Sequence, residues 1–275
     1  MASRGATTVA VESYGLRASL ATLTVHGLTP ALLPVEKWRR GAGQRRRGAS
    51  AAVDPGAPVP LGPALAAQRR AQAIQWAAAT GGLVIQDDYD GEFRYDRQPV
   101  GALQALAPDQ VVYAGTASKT LAPGLRLGWL VLPDRLVGDV AAAKAQADAH
   151  TGSFEQLTLA EFISSGGYDR HVRRSRLGYR RRRDRLVAEL ARHSPAVRLT
   201  GIAAGLHAVA RLPDGQSEQD VTARAARRGL WVEGLGNYAR GEHTRGPALV
   251  IGYAAPPEHA FTTALARLCA TLAGS

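Results

Sequence analysis

Three short apolar runs in the middle of the chain are each followed by polar or charged residues. The runs at 83–85, 110–114 and 127–132 are too short for helices and have the composition of buried strands. Asp87 follows the first run, and Lys119 follows the second. Open α/β sheets bind ligands beyond the carboxyl ends of their strands. The pattern therefore predicts an α/β fold whose ligand site contains Asp87 and Lys119.

The rest of the chain predicts a mostly parallel sheet followed by a smaller domain with a different order of strands and helices. The first half alternates strands and helices in the βαβ rhythm, with strands at 7–12 and 32–35 and helices at 13–24, 64–80, 133–150, 155–164 and 168–193. The end of the chain predicts strands at 197–199, 206–212, 230–233 and 249–253 and helices at 217–228 and 257–273. We therefore divide the chain into a partial large domain (1–150), connecting helices (151–194) and a small α+β domain (195–275).

Residues 36–60 interrupt this pattern. Arginine, glycine, alanine and proline dominate the segment, and no helical or strand period survives in it. We interpret it as an aberrant insertion or linker. One hypothesis is that 36–59 is the product of a shifted reading frame in GC-rich DNA. Translation of the coding DNA in its other frames tests that hypothesis.

The net charge of +11 is concentrated in two stretches. Residues 36–47 and 170–185 together carry more positive charge than the whole chain, so the remainder is slightly acidic. In the predicted helix 168–193 the apolar residues recur on one face and the arginines occupy the others. This basic helix is either a solvated or dimer-contacting face or a contact for DNA phosphates, and both interpretations stay open.

Cysteine usage and hydropathy bound the location of the protein. Cys269 is the only cysteine, so no internal disulfide forms, and a reducing cytoplasm is expected. Its place in an apolar helical pattern indicates an inert core residue. No run reaches the roughly 18 apolar residues of a membrane helix, so no membrane partner is expected. The sequence predicts no metal site.

The polar residues around the two motifs suit one cofactor, pyridoxal phosphate. Its aldehyde condenses with a lysine amine, its pyridine nitrogen needs an acid, and its phosphate needs cations and hydroxyls. Candidates for these roles lie close together in the sequence: Asp87, Tyr89, Thr116, Ser118, Lys119 and Arg126.

The motifs DDYDGEFRY (87–95) and TASKTLAPGLRLGWLVLP (116–133) resemble the aminotransferase-type domain of the MocR/GabR regulators in the GntR family. The resemblance spans most of the chain outside 36–60. It implies the fold of fold-type I pyridoxal-phosphate enzymes and a homodimer. It also implies roles for individual residues: Lys119 forms the Schiff base, Asp87 faces the pyridine nitrogen, Tyr89 contacts the phenolic oxygen, and Arg126, Thr116 and Ser118 hold the phosphate.

The chain departs from the family pattern in several places. The family's winged helix-turn-helix is not in this sequence, so DNA binding is expected only through a domain outside it. The family's small-residue phosphate loop and the residues that stack on the cofactor ring are expected upstream. The family's His-Gln motif before the helix at 64 is replaced here, although Pro60-Leu-Gly62 matches. The late strand 248–253 lacks the substrate arginine of aminotransferases, which leaves Arg245 as a weak candidate.

Three interpretations of function follow. The first is a pyridoxal-phosphate-binding domain of a MocR-type transcriptional regulator that responds to an amino acid or amine. The second is a working aminotransferase that acts on amino acids. The third is a non-functional gene remnant.

Overall fold

The computed structural model describes residues 7–33, 49–53, 65, 67–95, 101–200 and 205–274. Its first half is built on a six-stranded sheet in the order β2-β1-β3-β4-β5-β6. The strands are β1 (Thr8–Glu12), β2 (Thr29–Leu33), β3 (Ala49–Val53), β4 (Val84–Asp88), β5 (Val111–Thr116) and β6 (Gly128–Val131). This confirms the predicted α/β class.

The sheet is mostly parallel, as predicted, with one exception at its edge. Strands β1 to β5 pair in parallel, whereas β6 runs antiparallel to β5 with Thr116 opposite Gly128. The chain between these strands contains a short turn and no crossover helix. A connection of that kind returns the chain alongside the strand it has just left, which makes the pair antiparallel.

Strand β3 corrects the interpretation of residues 36–60. We expected no regular structure in that segment, yet Ala49–Val53 pairs in parallel with β1 on one side and β4 on the other. Alanine and serine have weak strand propensity, so the local sequence gives little signal there. Pairing with two neighbouring strands overrides that propensity. The expectation of no regular structure is therefore wrong for 49–53. The rest of 36–60 lies outside the described residues, and its interpretation as an insertion or linker stays a prediction.

Helices of the first half begin and end close to the predicted positions. They are α1 (Arg17–Val25), α2 (Ala67–Thr80) and α3 (Asp134–Asp148). Helix α1 begins four residues later than predicted, because Ser13 and Gly15 bond instead to Arg240 and Tyr238 near the C-terminus. Helix α2 buries a face of small residues and Trp76 against the sheet, and this cluster contains Ala73, Trp76, Ala77, Val84, Leu103, Ala107 and Val111.

Two further helices connect the halves, α4 (Ser153–Ser164) and α5 (Gly167–His193). Helix α5 has 27 residues, and its predicted apolar face is confirmed: Val172, Leu186 and Leu190 are buried and Tyr179 packs on the adjoining core. Most of the arginines lie on the other faces, as the helical period predicts, whereas Arg182 is buried. Among the described residues, no helix is long and apolar enough to cross a membrane.

The C-terminal part is a four-stranded antiparallel sheet in the order β7-β8-β10-β9, covered by helices. Its elements are β7 (Arg198–Thr200), β8 (Ala208–Arg211), α6 (Glu218–Arg227), β9 (Glu233–Gly234), β10 (Ala248–Ile251) and α7 (Glu258–Leu272). The predicted strand 230–233 is largely wrong, because Leu230 and Val232 pack on the core outside any strand. Cys269 is a buried free thiol in this core, where burial raises its pKa.

Candidate cofactor site

The carboxyl ends of β4 and β5 lie side by side at one edge of the large sheet. Asp87 pairs with Ala114 and Asp88 with Gly115, so both motifs leave the sheet at neighbouring points. The Tyr113 hydroxyl donates a 3.0 Å hydrogen bond to Asp88 and joins the two strands through side chains as well. The two motifs therefore leave the sheet at the same edge, and a ligand site that contains Asp87 and Lys119 stays a prediction.

Lys119 lies on a loop that is closed at its base, which we call the lysine loop (residues 117–127). The Ala117 N–H donates to the Leu127 carbonyl at 3.0 Å, and the Leu121 N–H donates to the Ala117 carbonyl at 2.9 Å. The Lys119 side chain is exposed and makes no hydrogen bond or ion pair with the described residues. The loop therefore presents a free amine from a backbone that is fixed on both sides.

Hydroxyl groups line the start of the lysine loop. The Thr116 hydroxyl lies 2.9 Å from Ser118 Oγ and 3.2 Å from the Leu127 carbonyl oxygen, and it accepts a 3.1 Å bond from the Ser118 N–H. Both side chains are half-buried. The two hydroxyls therefore form one small polar group directly before Lys119.

Arg126 closes the lysine loop in a left-handed backbone conformation. Its φ is 52°, and its N–H bonds to the Pro123 carbonyl at 3.3 Å. A residue with a Cβ holds this conformation at a cost of about 1 kcal/mol, and such strain is concentrated at functional sites. Among the described residues nothing neutralises its guanidinium, which is exposed next to the turn. The strained backbone thus orients an available cation.

Neighbouring charges shift the pKa of Asp87 in opposite directions. Its side chain is accessible from one side, yet the protein on the other side desolvates the carboxylate, and this desolvation raises the pKa of Asp87. The neighbouring Asp88 charge raises that pKa further, while Arg240 lowers it. An opposite charge near a carboxylate favours its ionised form. Arg240 therefore helps to keep Asp87 ionised.

Sequence reasoning missed Arg240, since nothing local marks it. It lies after a turn of the C-terminal part, far from Asp87 in the sequence, and its guanidinium donates to the backbone carbonyls of Glu12 and Leu16 at 3.3 and 3.1 Å. Gly15 lets it approach, because a Cβ there would lie 2.5 Å from Nη2 of Arg240. Only a spatial contact between the two ends of the chain brings this cation to the site.

The loop after β4, residues 89–95, places further acidic groups beside the site; we call it the acidic loop. Tyr89 hydrogen-bonds the Asp90 carboxyl group, which is 3% exposed. Burial and the charges of Asp88, Glu92 and Asp87 raise the pKa of Asp90 to about 7, against the opposing effect of Tyr89. The Tyr89 hydroxyl is thus hydrogen-bonded to Asp90 in this structure.

Helix α5 holds both loops. His171 contacts the Thr120 carbonyl at 2.7 Å, and the Arg176 Nε donates to the Glu92 carbonyl at 2.8 Å. The Tyr168 hydroxyl donates to the Glu92 carboxylate at 3.0 Å. Three side chains of one helix therefore fix the lysine loop relative to the acidic loop. The sequence did not indicate this role, because the many arginines of the helix suggested only a charged surface.

Arg245, the weak substrate candidate, lies over the ring of Tyr14, with 5.6 Å from its guanidinium carbon to the ring centroid. Arg211 donates to its carbonyl oxygen. Tyr14 in turn bonds to His243 Nδ1 at 2.9 Å. The described contacts of Arg245 therefore place it in a cluster around Tyr14.

The donor set at the sheet edge fits pyridoxal phosphate. It combines an accessible carboxylate, a free lysine amine, two hydroxyls and an available guanidinium, which are the groups that this cofactor requires. Among the described residues, no group of three His, Cys, Asp or Glu side chains could hold a metal ion.

This mostly parallel sheet, with its lysine loop at the carboxyl edge, defines the fold-type I class of pyridoxal-phosphate aminotransferases. The structure matches the α-aminoadipate aminotransferase LysN of Thermus thermophilus, which was solved with N-(5'-phosphopyridoxyl)-L-leucine, with a TM-score of 0.83 and 23% sequence identity. The match covers 98% of this chain and 71% of LysN. The chain belongs to the aminotransferase class I and II family, whose sequence profile matches residues 60–231.

Three curated relatives are regulators. YhdI of Bacillus subtilis, an uncharacterized HTH-type transcriptional regulator, is 35% identical over 70% of this chain and 42% of its own length. PdxR of Corynebacterium glutamicum, an HTH-type pyridoxine biosynthesis transcriptional regulator, is 34% identical over 78% of this chain and 47% of its own. A third relative, the probable rhizopine catabolism regulatory protein MocR of Rhizobium meliloti, is 34% identical over 63% of this chain and 36% of its own length. The chain thus spans less than half the length of these relatives, and its likeness to them confirms the resemblance to MocR-type regulators.

Proposed function

We propose that the chain binds pyridoxal phosphate at the carboxyl edge of β4 and β5. The observation that carries the proposal is the side-by-side exit of the Asp87 and Lys119 motifs from two paired strands. When bound, this cofactor withdraws electrons from the α-carbon of an amino compound. The chain's own residues hold the cofactor and set its protonation.

Each residue has a distinct role in this proposal. Asp87, kept ionised by Arg240, holds a proton on the pyridine nitrogen. Lys119 would hold the cofactor through its side-chain amine. Thr116, Ser118 and Arg126 hold the phosphate, since hydroxyls and a guanidinium are its usual donors. Tyr89 contacts the phenolic oxygen, for which its hydroxyl has to leave Asp90.

We further propose that this is the effector-sensing domain of a MocR-type transcriptional regulator in the cytoplasm. The 34–35% identity to YhdI and PdxR supports this assignment. In this proposal the domain binds an amino acid or amine, works as a homodimer, and reaches specific DNA sequences through a helix-turn-helix outside residues 1–275.

An aminotransferase is the second candidate. It is supported by the likeness to LysN and by Arg245, a cation three residues before β10 that could bind a substrate carboxylate. We favour the regulator, because the curated relatives reported above are regulators and the strand β10 carries no arginine.

Absorbance spectroscopy tests cofactor binding. Titrating the protein with pyridoxal phosphate should produce the red-shifted band of the lysine-bound cofactor. Lys119→Ala should lose this band, while the control Lys144→Ala should keep it, because Lys144 pairs with Asp148 on the surface of α3. A wild-type protein without the band would contradict the proposal and favour a gene remnant.

A second measurement separates the regulator from the enzyme. The cofactor-loaded protein is given an amino acid together with a keto acid, and the products are followed by chromatography. A regulator should change its absorbance with the amino compound but form almost no product. Sustained turnover that disappears in Lys119→Ala would establish an aminotransferase instead.

A further inference from the structure

The outward face of α5 carries four arginines in one line. Arg170, Arg174, Arg181 and Arg185 are spaced by four, seven and four residues, a spacing that places them on one side of a helix. All four are exposed. At 1.5 Å per residue they span about 22 Å. We call this row the arginine stripe.

Only a small part of the positive charge of the stripe is neutralised within the part of the chain that the structure describes. Arg170 and Arg185 bond to neutral partners, the Ser165 carbonyl at 3.2 Å and the Thr262 hydroxyl at 2.9 Å. No described ion pair includes any of the four arginines. The helix contains ten arginines and only three acidic residues. The stripe therefore keeps a strong positive field at the surface.

The acidic groups near the stripe are already engaged. Asp184 lies 3.9 Å from Arg180, beside the stripe. Glu258, at the start of α7, pairs with the buried Arg182 at 2.6 Å, and this pairing lowers the pKa of Glu258. Glu258 also interacts electrostatically with Arg181, so these two carboxylates offset only part of the charge of the four arginines.

A shallow groove of about 580 Å³ runs along the stripe, between α5 and the start of α7. Its lining combines arginines with two apolar side chains: Arg173, Arg174, Leu177, Gly178, Arg181, Arg182, Arg185, Glu258 and Phe261. At Gly178 a Cβ would meet no atom within 4 Å, so the middle of the stripe is open. A phosphate group can therefore come close to the helix at Gly178.

We propose that the arginine stripe binds the phosphates of duplex DNA independently of sequence. Guanidinium groups bind phosphates with two parallel hydrogen bonds and hold their charge at any physiological pH. About 22 Å of duplex carries roughly thirteen phosphates, so a rigid row of cations on one helix can contact several at once. A second copy of this chain does not suit the surface, because two such stripes repel each other.

The choice of DNA rests on the proposed role in transcriptional regulation. In a regulator, this surface adds affinity beside a separate sequence-reading module, since phosphate contacts position a protein and carry no sequence information. The stripe lies on the same helix as His171 and Arg176, which hold the two cofactor loops. The DNA contact and the cofactor site therefore share one rigid element.

Fluorescence anisotropy with a labelled duplex of arbitrary sequence, about two helical turns long, tests the proposal. The wild-type protein is compared with Arg174→Gln/Arg181→Gln and with a control, Arg198→Gln/Arg227→Gln. Arg198 and Arg227 are exposed on β7 and α6. Both variants therefore lose two positive surface charges and have the same net charge. Each titration is repeated over a series of salt concentrations.

We expect wild-type affinity to fall steeply with salt. The stripe variant should bind at least tenfold more weakly at low salt, and its slope of log affinity against log salt should be smaller by about 1.8, which corresponds to two phosphate contacts. The control variant should keep the wild-type slope. Equal loss in both variants, or no salt-dependent binding by the wild type, would overturn the proposal.

The absorbance band of the cofactor distinguishes a failure of DNA binding from a failure of cofactor binding. Retention of the band in Arg174→Gln/Arg181→Gln shows that the variant is folded. Lys119→Ala should lose the band and still bind the duplex. Loss of DNA binding in Lys119→Ala with normal stability would contradict an independent phosphate surface.

Discussion

His171 lies 2.7 Å from the carbonyl oxygen of Thr120, the residue that follows Lys119. This hydrogen bond ties the lysine loop to helix α5, which also holds the acidic loop through Arg176 and Glu92. The position of the lysine amine relative to Asp87 thus depends on a helix that contributes no group to the proposed cofactor contacts.

Replacing His171 tests this dependence. We expect His171→Ala to weaken pyridoxal-phosphate binding about fivefold, because one hydrogen bond contributes about 1 kcal/mol. His171→Gln, which can still donate to the carbonyl, should recover part of the affinity. The measurement is the absorbance titration with cofactor. His193→Ala is the control, since His193 is exposed and pairs with Glu189; equal affinities in both alanine variants would refute the positioning role.

Gly15 should control the charge state of Asp87 through Arg240. In Gly15→Ala the new Cβ displaces the guanidinium, and the pKa of Asp87 rises further because Arg240 lowers it. Cofactor binding needs the ionised carboxylate. On acidification, Gly15→Ala should therefore lose binding at a higher pH than the wild type. We expect affinity about three- to tenfold lower at mildly acid pH and little change at alkaline pH.

Arg240→Gln should reproduce the effect of Gly15→Ala, and Gly101→Ala serves as its control, because a Cβ at Gly101 meets no atom within 4 Å. The measurement is cofactor affinity as a function of pH. Identical pH profiles for wild type and Gly15→Ala would show that Arg240 does not act on Asp87.

Asp90 should make the protein less stable as pH rises. Its pKa is about 7 in the folded protein, above its ordinary value of 3.8, so the folded state binds the extra proton. The stabilisation is complete at pH values below the ordinary pKa and is lost as pH rises through about 7. Asp90→Asn removes the ionisation, so the variant should be more stable than wild type near pH 8, by on the order of 4 kcal/mol.

Urea-induced unfolding at several pH values measures this effect. The wild-type free energy of unfolding should decline between about pH 4 and 7, and the Asp90→Asn curve should be flatter over that interval. Asp139→Asn, on the exposed surface of α3, is the control and should follow the wild type. Parallel curves for Asp90→Asn and wild type would contradict the assignment.

Arg182 should be the arginine of α5 on which folding depends most. It is 9% exposed and donates to the carbonyls of Tyr253, Ala254 and Pro256 at 3.4, 3.2 and 2.7 Å. Arg182→Met leaves these acceptors without their donor, so we expect a loss of about 2–4 kcal/mol in urea-induced unfolding.

The exposed Arg173 provides the matched control for Arg182. Arg173→Met should change stability by less than about 0.5 kcal/mol, the usual effect of a surface substitution. Similar unfolding midpoints for Arg182→Met and Arg173→Met would mean that the buried hydrogen bonds of Arg182 contribute little.

The class of fold and the motifs of the site follow from the amino-acid sequence alone. The runs before Asp87 and Lys119 form β4 and β5, and their motifs leave the sheet at neighbouring points, as expected. Short-range information suffices here, because strand periodicity and loop residues are encoded within a few positions of each other.

The remaining features depend on contacts between distant parts of the folded chain. Strand β3 forms in a segment without local strand signal because β1 and β4 offer it backbone partners on both sides. Arg240 and His171 reach the site from far along the sequence, and Asp90 acquires its raised pKa through burial among other carboxylates. Pairing, burial and electrostatic coupling of this kind arise only when the chain is folded, so no local sequence pattern predicts them.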